Sequence, residues 1–156
     1  MSLAARIQNQ LAQSGIDGAV LRAAEDGESL LVRVDQAGPL AVSCWELRLE
    51  TGRLAGASIE TVKQVAEEVT RRVTYLLEPI QPIEADSEAC VIQLRSTKPD
   101  ESADSRTYYE CLVKTGGSIA LQRYEAPRGQ LRHAVAMNLT HELVGRLTDD
   151  FVASVG

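Results

Sequence analysis

The two histidines are the first candidates for chemistry, because an imidazole can act as a base or as a metal ligand. His133 and His141 fall within one apolar pattern that predicts a C-terminal helix over residues 130–153. Eight positions apart, they would lie within about 80° of each other around the helix axis. His141-Glu142 lacks the second histidine of the zinc-peptidase pattern. We therefore expect surface histidines and no metal site.

The three cysteines, Cys44, Cys90 and Cys111, form neither a disulfide framework nor a close pair for zinc. A nucleophilic thiol needs exposure and a nearby base or cation. Cys90 and Cys111 occupy alternating apolar positions of predicted strands, where cysteine acts as a small hydrophobic residue. Cys44 lies where the alternation of its strand slips phase. We expect no catalytic cysteine.

The glycine-rich segment Thr115-Gly116-Gly117-Ser118 is the remaining candidate for a reactive or phosphate-binding loop. It lacks the spacing of a P-loop, and predicted strands flank it on both sides. The chain also lacks the G-x-S-x-G motif of a serine nucleophile. The sequence thus predicts no catalytic residue, no metal ligand and no cofactor, and favours a protein that is not an enzyme.

Length and charge limit the classes of partner. At 156 residues the chain has the size of one domain, and its net charge is −6 with a pI near 5.0. A nucleic acid or an anionic membrane would be repelled on average, and no run of Lys and Arg opposes this. No apolar stretch is long enough to cross a membrane, and the N-terminus does not resemble a signal peptide. We expect one cytoplasmic domain, residues 1–156, with neither nucleic acid nor membrane as partner.

The first half of the chain predicts a helix, a hairpin and a further strand. Ser2 is placed to cap the first helix. Asp26-Gly27 between two apolar runs is a strong hairpin signal, because both turn positions need positive φ. A strand over 40–50 follows, and residues 53–56 are expected to return beside it, with Arg53 opposite Glu50.

A long amphipathic helix begins at Ser58 and is expected to end before Pro79, after which residues 79–88 resemble a linker. A strand over 90–95, a hairpin and the C-terminal helix complete the chain. If Gly116-Gly117 forms the whole hairpin turn, Glu110 faces Arg123 and Tyr109 faces Tyr124. The predicted class is α+β, an antiparallel sheet with three helices in the order α-ββββ-α-βββ-α.

An internal repeat links the two halves. Residues 45–52 (WELRLETG) and 109–116 (YECLVKTG) share an aromatic, a Glu and a final Thr-Gly. They predict two half-repeats, about 28–78 and 89–154, each built as strand, hairpin and helix. A chance echo between short strands and turns is the alternative. If the repeat is real, the hairpins join in one sheet with the helices on one face.

The expected binding surface is the second hairpin. Its face opposite Tyr109, Cys111 and Val113 would still carry three apolar residues, and a sheet that is apolar on both faces needs cover on both. This predicts a homodimer or a groove for a protein partner. The predicted binding residues are Trp45, Glu46, Tyr108, Glu110, Leu112, Ile119, Leu121 and Arg123.

The order helix, strands, helix, strands, helix in a small acidic chain resembles the architecture of type III secretion chaperones. The resemblance rests on element order, size and acidity over most of the chain, and no residue motif carries it. Such chaperones are dimers that bind extended client segments. The resemblance therefore implies a chaperone-like, dimeric protein-binding module.

A small-molecule-binding protein or an enzyme of unrecognised type is the alternative function. It predicts a concave pocket in which Glu46, Glu110, Arg123 or His133 converge. A protein-binding module predicts a continuous surface without such a pocket.

Overall fold

Three helices and one ten-stranded antiparallel sheet make up the fold in the computed structural model, which describes residues 1–156. The predicted α+β class with an antiparallel sheet and three helices is confirmed. The elements in chain order are α1 (Leu3–Leu11), β1 (Val20–Glu25), β2 (Glu28–Ala37), β3 (Ala41–Thr51), a 3₁₀ turn (Gly52–Leu54), α2 (Ile59–Arg72), β4 (Ile80–Asp86), β5 (Val91–Ser96), β6 (Asp100–Glu101), β7 (Ser105–Lys114), β8 (Ser118–Pro127), β9 (His133–Val135), β10 (Met137–Thr140) and α3 (His141–Val155).

The seven long strands lie in the order β1-β2-β3-β8-β7-β5-β4, so β8 is the central strand. Strands β3 and β8 pair only over Leu47–Glu50 and Ser118–Leu121. Beyond that stretch they diverge, and the short strands β9 and β10 fill the fork by pairing with β8 and β3 respectively. Each arm of the fork therefore has a hydrogen-bonded neighbour, and the pairing of β3 with β8 over four residues joins the two halves of the sheet.

All three helices pack on one face of the sheet. Helices α1 and α2 each contact α3, and their apolar residues share one core with the strands. Ile7, Val69 and Phe151 are among the helix residues in this core, and Leu47 and Ile119 are among the strand residues. The opposite face, which we call the open face, has no helix on it. None of the three helices combines the length and hydropathy needed to cross a bilayer.

Capping side chains begin the helices where hydroxyl residues were expected to do so. Ser2 accepts a hydrogen bond from the backbone N–H of Ala5, and Ser58 accepts one from that of Thr61. Each bond satisfies a backbone donor that has no partner within the helix. Helix α2 ends at Arg72, several residues before Pro79.

The C-terminal helix is shorter than predicted, because residues 133–140 form β9 and β10. Val135 and Leu139 are four residues apart and fit one face of a helix, but Val135, Met137 and Leu139 also alternate as in a strand. Pairing with β8 and β3 favours the strand. The prediction that both histidines lie on one helix is therefore wrong: His133 begins β9 and His141 begins α3.

Two further local predictions are wrong. Residues 79–88 are not a linker, since β4 is an edge strand paired with β5, and Pro82 is tolerated at such an edge. Residues 53–56 do not return as a strand, and Arg53 binds Glu28 at 2.8 Å rather than facing Glu50. Three strands precede α2 and seven follow it, against the four and three expected.

The two copies of the octapeptide echo end β3 and β7, which both pair antiparallel with β8 and hence run in the same direction. Their Thr-Gly pairs, Thr51-Gly52 and Thr115-Gly116, therefore lie at the same end of the sheet. The duplication of half-repeats stays a prediction.

The register of the second hairpin differs by one residue from the prediction. Lys114 pairs with Ser118, so the loop has three residues, Thr115-Gly116-Gly117. Tyr109 consequently faces Arg123 and Tyr108 faces Tyr124. A shift of one residue turns every side chain of one strand to the other face relative to its neighbour.

This register overturns the predicted two-sided apolarity. Ile119 and Leu121 lie on the helix-covered face beside Val113 and Cys111, and all four are fully buried. On the open face of this hairpin, Leu112 pairs with Ala120. The argument that the hairpin needs cover on both faces is therefore wrong.

Gly117 explains the length of the loop. Its φ is +108°, and a Cβ atom there would lie 2.0 Å from the carbonyl oxygen of Thr51. The Thr51 N–H donates to the Gly117 carbonyl at 2.8 Å, and the Gly116 N–H donates to the Leu54 carbonyl at 3.2 Å. The hairpin loop is thus locked onto the end of β3, and only glycine fits at position 117.

We expect Gly117→Ala to lower the free energy of unfolding by about 3 kcal/mol, because it adds both backbone strain and a clash. Gly116→Ala is the matched control, since its φ is +84° but nothing lies within 4 Å of an added Cβ. It should cost only about 1 kcal/mol. Urea unfolding of both variants measures the difference, and equal losses would contradict the role of the Thr51 contact.

Candidate binding site on the open face

Glu110 is the centre of the most connected polar group on the open face. Its side chain is only 4% exposed. The carboxylate accepts hydrogen bonds from Gln93 Nε2 at 2.7 Å and from Arg132 Nη1 at 2.5 Å, and Arg95 Nη2 lies 3.5 Å away. Two guanidinium groups and one amide thereby offset the desolvation of the carboxylate. The hydrogen bonds that Arg132 donates to Glu110 raise the pKa of Arg132 above its ordinary value.

Two tyrosines stack with these arginines. Tyr108 and Tyr124 face each other across β7 and β8, with ring centroids 6.2 Å apart. The guanidinium carbon of Arg95 lies 4.6 Å from the Tyr108 centroid, and that of Arg132 lies 3.9 Å from the Tyr124 centroid. Cation–π contacts of this kind hold both partners in fixed positions. We call Arg95, Tyr108, Glu110, Tyr124 and Arg132 the Arg–Tyr cluster.

A hydrogen-bonded strip extends the cluster across the centre of the sheet. The Tyr124 hydroxyl donates to Gln122 Oε1 at 2.7 Å, and Gln122 Nε2 donates to Glu46 Oε2 at 2.9 Å. Arg48 lies 3.7 Å from Glu46 and 3.3 Å from Glu50. Burial is the main cause that raises the pKa of Tyr124. The strip joins side chains of β5, β7, β8 and β3 into one ordered surface.

A β-bulge brings Glu46 onto this strip. Arg33 pairs with Glu46, but the next residue, Val34, pairs with Cys44, so Trp45 is an extra residue in β3. The phase slip expected at Cys44 is therefore real. Because of the bulge, Cys44 and Leu47 are both buried in the core, and Trp45 is half-buried.

The core side of the same strands holds a second ion pair. Arg123 and Glu78 form a two-point bond with N–O distances of 3.0 and 3.3 Å, and both are 8% exposed. Ser96 Oγ donates to Glu78 at 3.3 Å, and the Arg123 guanidinium lies 4.2 Å from the Tyr109 centroid. Burial raises the pKa of Tyr109. This pair joins the segment after α2 to the central strand.

The structure brings only part of the predicted binding set together. Glu46, Tyr108, Glu110 and Leu112 lie on the open face, with Trp45 at its bulge. Three predicted residues lie on the other face as a result of the register: Ile119, Leu121 and Arg123.

The sequence missed three members of the Arg–Tyr cluster. The predicted register misplaced Tyr124, and the predicted helix absorbed Arg132. Arg95 could have been found by pairing β5 with β7, because the register of these two strands sets Arg95 opposite Glu110.

The pocket expected for the alternative function is not formed by its four predicted residues. Glu46 and Glu110 lie on the open face, Arg123 lies on the core face, and His133 is an exposed residue of β9. A polar depression of about 500 Å³ lies where the turns at Gly27, Thr51-Gly52 and Thr115-Gly116-Gly117 meet, and no hydrophobic residue lines it. No group of three His, Cys, Asp or Glu residues is placed to hold a metal ion.

The cysteines differ in environment. Burial raises the pKa of Cys44 and of Cys111 to about 12. Cys90 was expected at an apolar strand position, but it lies in the turn before β5 with a φ of +51° and is half-buried. Its thiol donates to the Ser87 carbonyl at 3.4 Å.

No family model matches the chain, and no curated protein matches it. Among solved structures, a DUF4468 family protein from Bacteroides ovatus is similar over 95% of each chain, with 10% sequence identity and a TM-score of 0.39.

We expect Cys90 to react first with a thiol reagent at pH 8. A thiol with a pKa of about 12 is only about 0.01% thiolate at that pH, so Cys44 and Cys111 should stay unmodified in the folded chain. Mass spectrometry after brief iodoacetamide treatment should locate one label at Cys90, and unfolding in urea should expose all three. Rapid labelling of Cys111 in the folded protein would be the opposite result.

We expect Arg123→Leu to lower the free energy of unfolding by about 3–5 kcal/mol, because it leaves the Glu78 carboxylate buried without its partner. Adding Glu78→Leu should recover most of this loss. Arg71→Ala is the control, since its pair with Glu68 is on the exposed side of α2 and should have little effect. Urea unfolding compares the variants. A double variant no more stable than Arg123→Leu would contradict the account.

Proposed function

We propose that the chain is a non-enzymatic protein-binding module that binds through the open face of its sheet. The observation that carries the proposal is an ordered strip of arginine and tyrosine side chains on a sheet face that no helix covers. Arg, Tyr and Trp dominate the energetics of protein interfaces. Side chains already held by hydrogen bonds lose less conformational entropy when a partner binds.

A second copy of the chain is the partner we propose. The strand register places seven residues in one row across the open face, with Arg22 exposed at the β1 end and Glu84 exposed at the β4 end. In order the row is Arg22, Leu31, Arg48, Ala120, Leu112, Gln93 and Glu84. A row that begins with a cation and ends with an anion is complementary to the same row of a second copy that runs in the opposite direction.

A two-fold axis along β8 would use this complementarity. It would place Arg22 opposite the partner's Glu84 at both ends, with the small residue Ala120 on the axis. In the adjacent row, Glu50 would lie opposite the partner's Lys114. The row of Glu46 would bring that side chain near the partner's Glu110, which is compatible only because arginines of the same chain neutralise both.

The available area suits such a contact. Seven strands about 4.8 Å apart and three rows of side chains give about 600 Å², close to the 800 Å² that each partner buries in a standard interface. Packing of two sheets with nearly aligned strands is a common arrangement. We place the module in the cytoplasm, where its three free cysteines stay reduced.

A chaperone-like role is the competing form of the proposal, in which an extended client segment occupies the same face. Light scattering at about 10–50 µM separates the two. We expect a mass twice the 16.9 kDa of one chain. A single-chain mass would overturn the second copy as the occupant.

Charge exchange tests the arrangement of the dimer. Arg22→Glu or Glu84→Arg alone should weaken dimerisation about tenfold by opposing like charges, and the double variant should restore it. Leu112→Arg, at the centre of the face, should give a monomer. Lys63→Glu on the exposed side of α2 is the control and should leave the mass unchanged. Failure of the double exchange to restore the dimer would contradict the two-fold axis along β8.

A further inference from the structure

Leu131 and Arg132 lie just before β9, and only the Arg132 side chain attaches these two residues to the open face. Leu131 is 92% exposed, and the backbones of Leu131 and Arg132 form no hydrogen bond. The Gln130 N–H donates to the Pro127 carbonyl within the local turn. The Arg132 guanidinium, in contrast, is held by Glu110, Tyr108 and Tyr124.

The residues that contact the Arg132 side chain have the geometry to bind a guanidinium group. Glu110 accepts from both Nη atoms, the Tyr124 ring lies under the guanidinium plane, and the Tyr108 hydroxyl lies 3.4 Å from Nη1. A planar fork that bonds a carboxylate and stacks on an aromatic ring distinguishes arginine from lysine. We call Tyr108, Glu110 and Tyr124 the guanidinium box.

We propose that the guanidinium box is a binding site for the arginine side chain of a peptide segment, and that Arg132 occupies it in the free chain. The buried Glu110 carboxylate favours a cation, and the net charge of −6 attracts a basic segment to the protein. The site lies towards the β9 end of the open face. Glu110 also belongs to the row that would face the second copy, so a peptide in the box competes with self-association.

Competition with Arg132 sets the expected affinity. A group tethered by a short segment has an effective concentration in the millimolar range. A single external arginine therefore binds the wild-type chain weakly, and removal of the Arg132 side chain makes the box available. A peptide gains over free arginine by contacts with the neighbouring open face, where Gln122 and Glu46 continue the hydrogen-bonded strip.

The test uses the full chain carrying Arg132→Ala, titrated with the peptide acetyl-Gly-Arg-Gly-amide and followed by NMR of the tyrosine ring resonances. We expect the Arg132→Ala chain to bind at least about tenfold more tightly than wild type. The matching lysine peptide should bind at least about tenfold more weakly, because it cannot form the two-point bond. Adding Glu110→Gln should abolish binding.

Arg146→Ala is the matched control. Arg146 stacks on Tyr75 at 4.0 Å, and the Tyr75 hydroxyl donates to Asp150 at 2.7 Å, so this variant removes an arginine–tyrosine stack elsewhere. It should leave peptide binding at the wild-type level.

The proposal is overturned if folded Arg132→Ala protein does not respond to the arginine peptide, or responds equally to the lysine peptide. Equal affinity for free arginine and for the peptide would assign the box to small guanidinium compounds and overturn the peptide form. Arg132→Gln, which keeps a polar side chain over Tyr124, is titrated in parallel. If Arg132→Ala does not fold, the same outcomes measured on Arg132→Gln support or overturn the proposal. Light scattering on the same samples reports the mass at each protein concentration. The titration is read at concentrations where Arg132→Ala protein is a single chain, so that a second copy does not cover the box and failure of this site is distinct from failure of the dimer.

Discussion

The contact between Gly117 and Thr51 determines what each face of the sheet carries. It holds the β7–β8 loop at three residues, because the Thr51 N–H donates to the Gly117 carbonyl and no side chain fits between them. The loop length sets the register of the central hairpin. In that register Ile119 and Leu121 join the core, and Tyr108 meets Tyr124 on the open face.

Buried charges reinforce the same register from both faces. Glu110 is buried on the open face among arginines, and Arg123 is buried on the core face against Glu78. A shift of β8 by one residue would turn Arg123 away from Glu78, and one unpaired buried charge costs several kcal/mol. The two ion-pair clusters therefore disfavour alternative pairings more strongly than apolar packing alone would.

The sequence was sufficient to predict features that depend on neighbouring residues. It was insufficient to predict features that depend on residues far away in the chain. Ser2, Ser58 and Asp26-Gly27 act through neighbours in the chain, so the helix starts and the first hairpin were predictable. The length of the second loop depends on Thr51, far away in sequence. Strands β9 and β10 were missed because Leu131, Val135 and Leu139, four residues apart, continue the helical spacing of α3, and this error hid Arg132, which completes the site.

The charge distribution gives the open face its role. The chain is acidic overall, yet six arginines lie on this face beside carboxylates that include Glu46, Glu50, Glu84 and Glu110: Arg22, Arg33, Arg48, Arg95, Arg106 and Arg132. Two copies repel each other in most orientations, and repulsion is weakest where these arginines face the other copy. Salt screens that repulsion over about 8–10 Å but weakens contacts at hydrogen-bond distance much less. Electrostatics therefore favours contact between two copies through this face, and the ordered tyrosines and arginines supply the contacts that a partner needs.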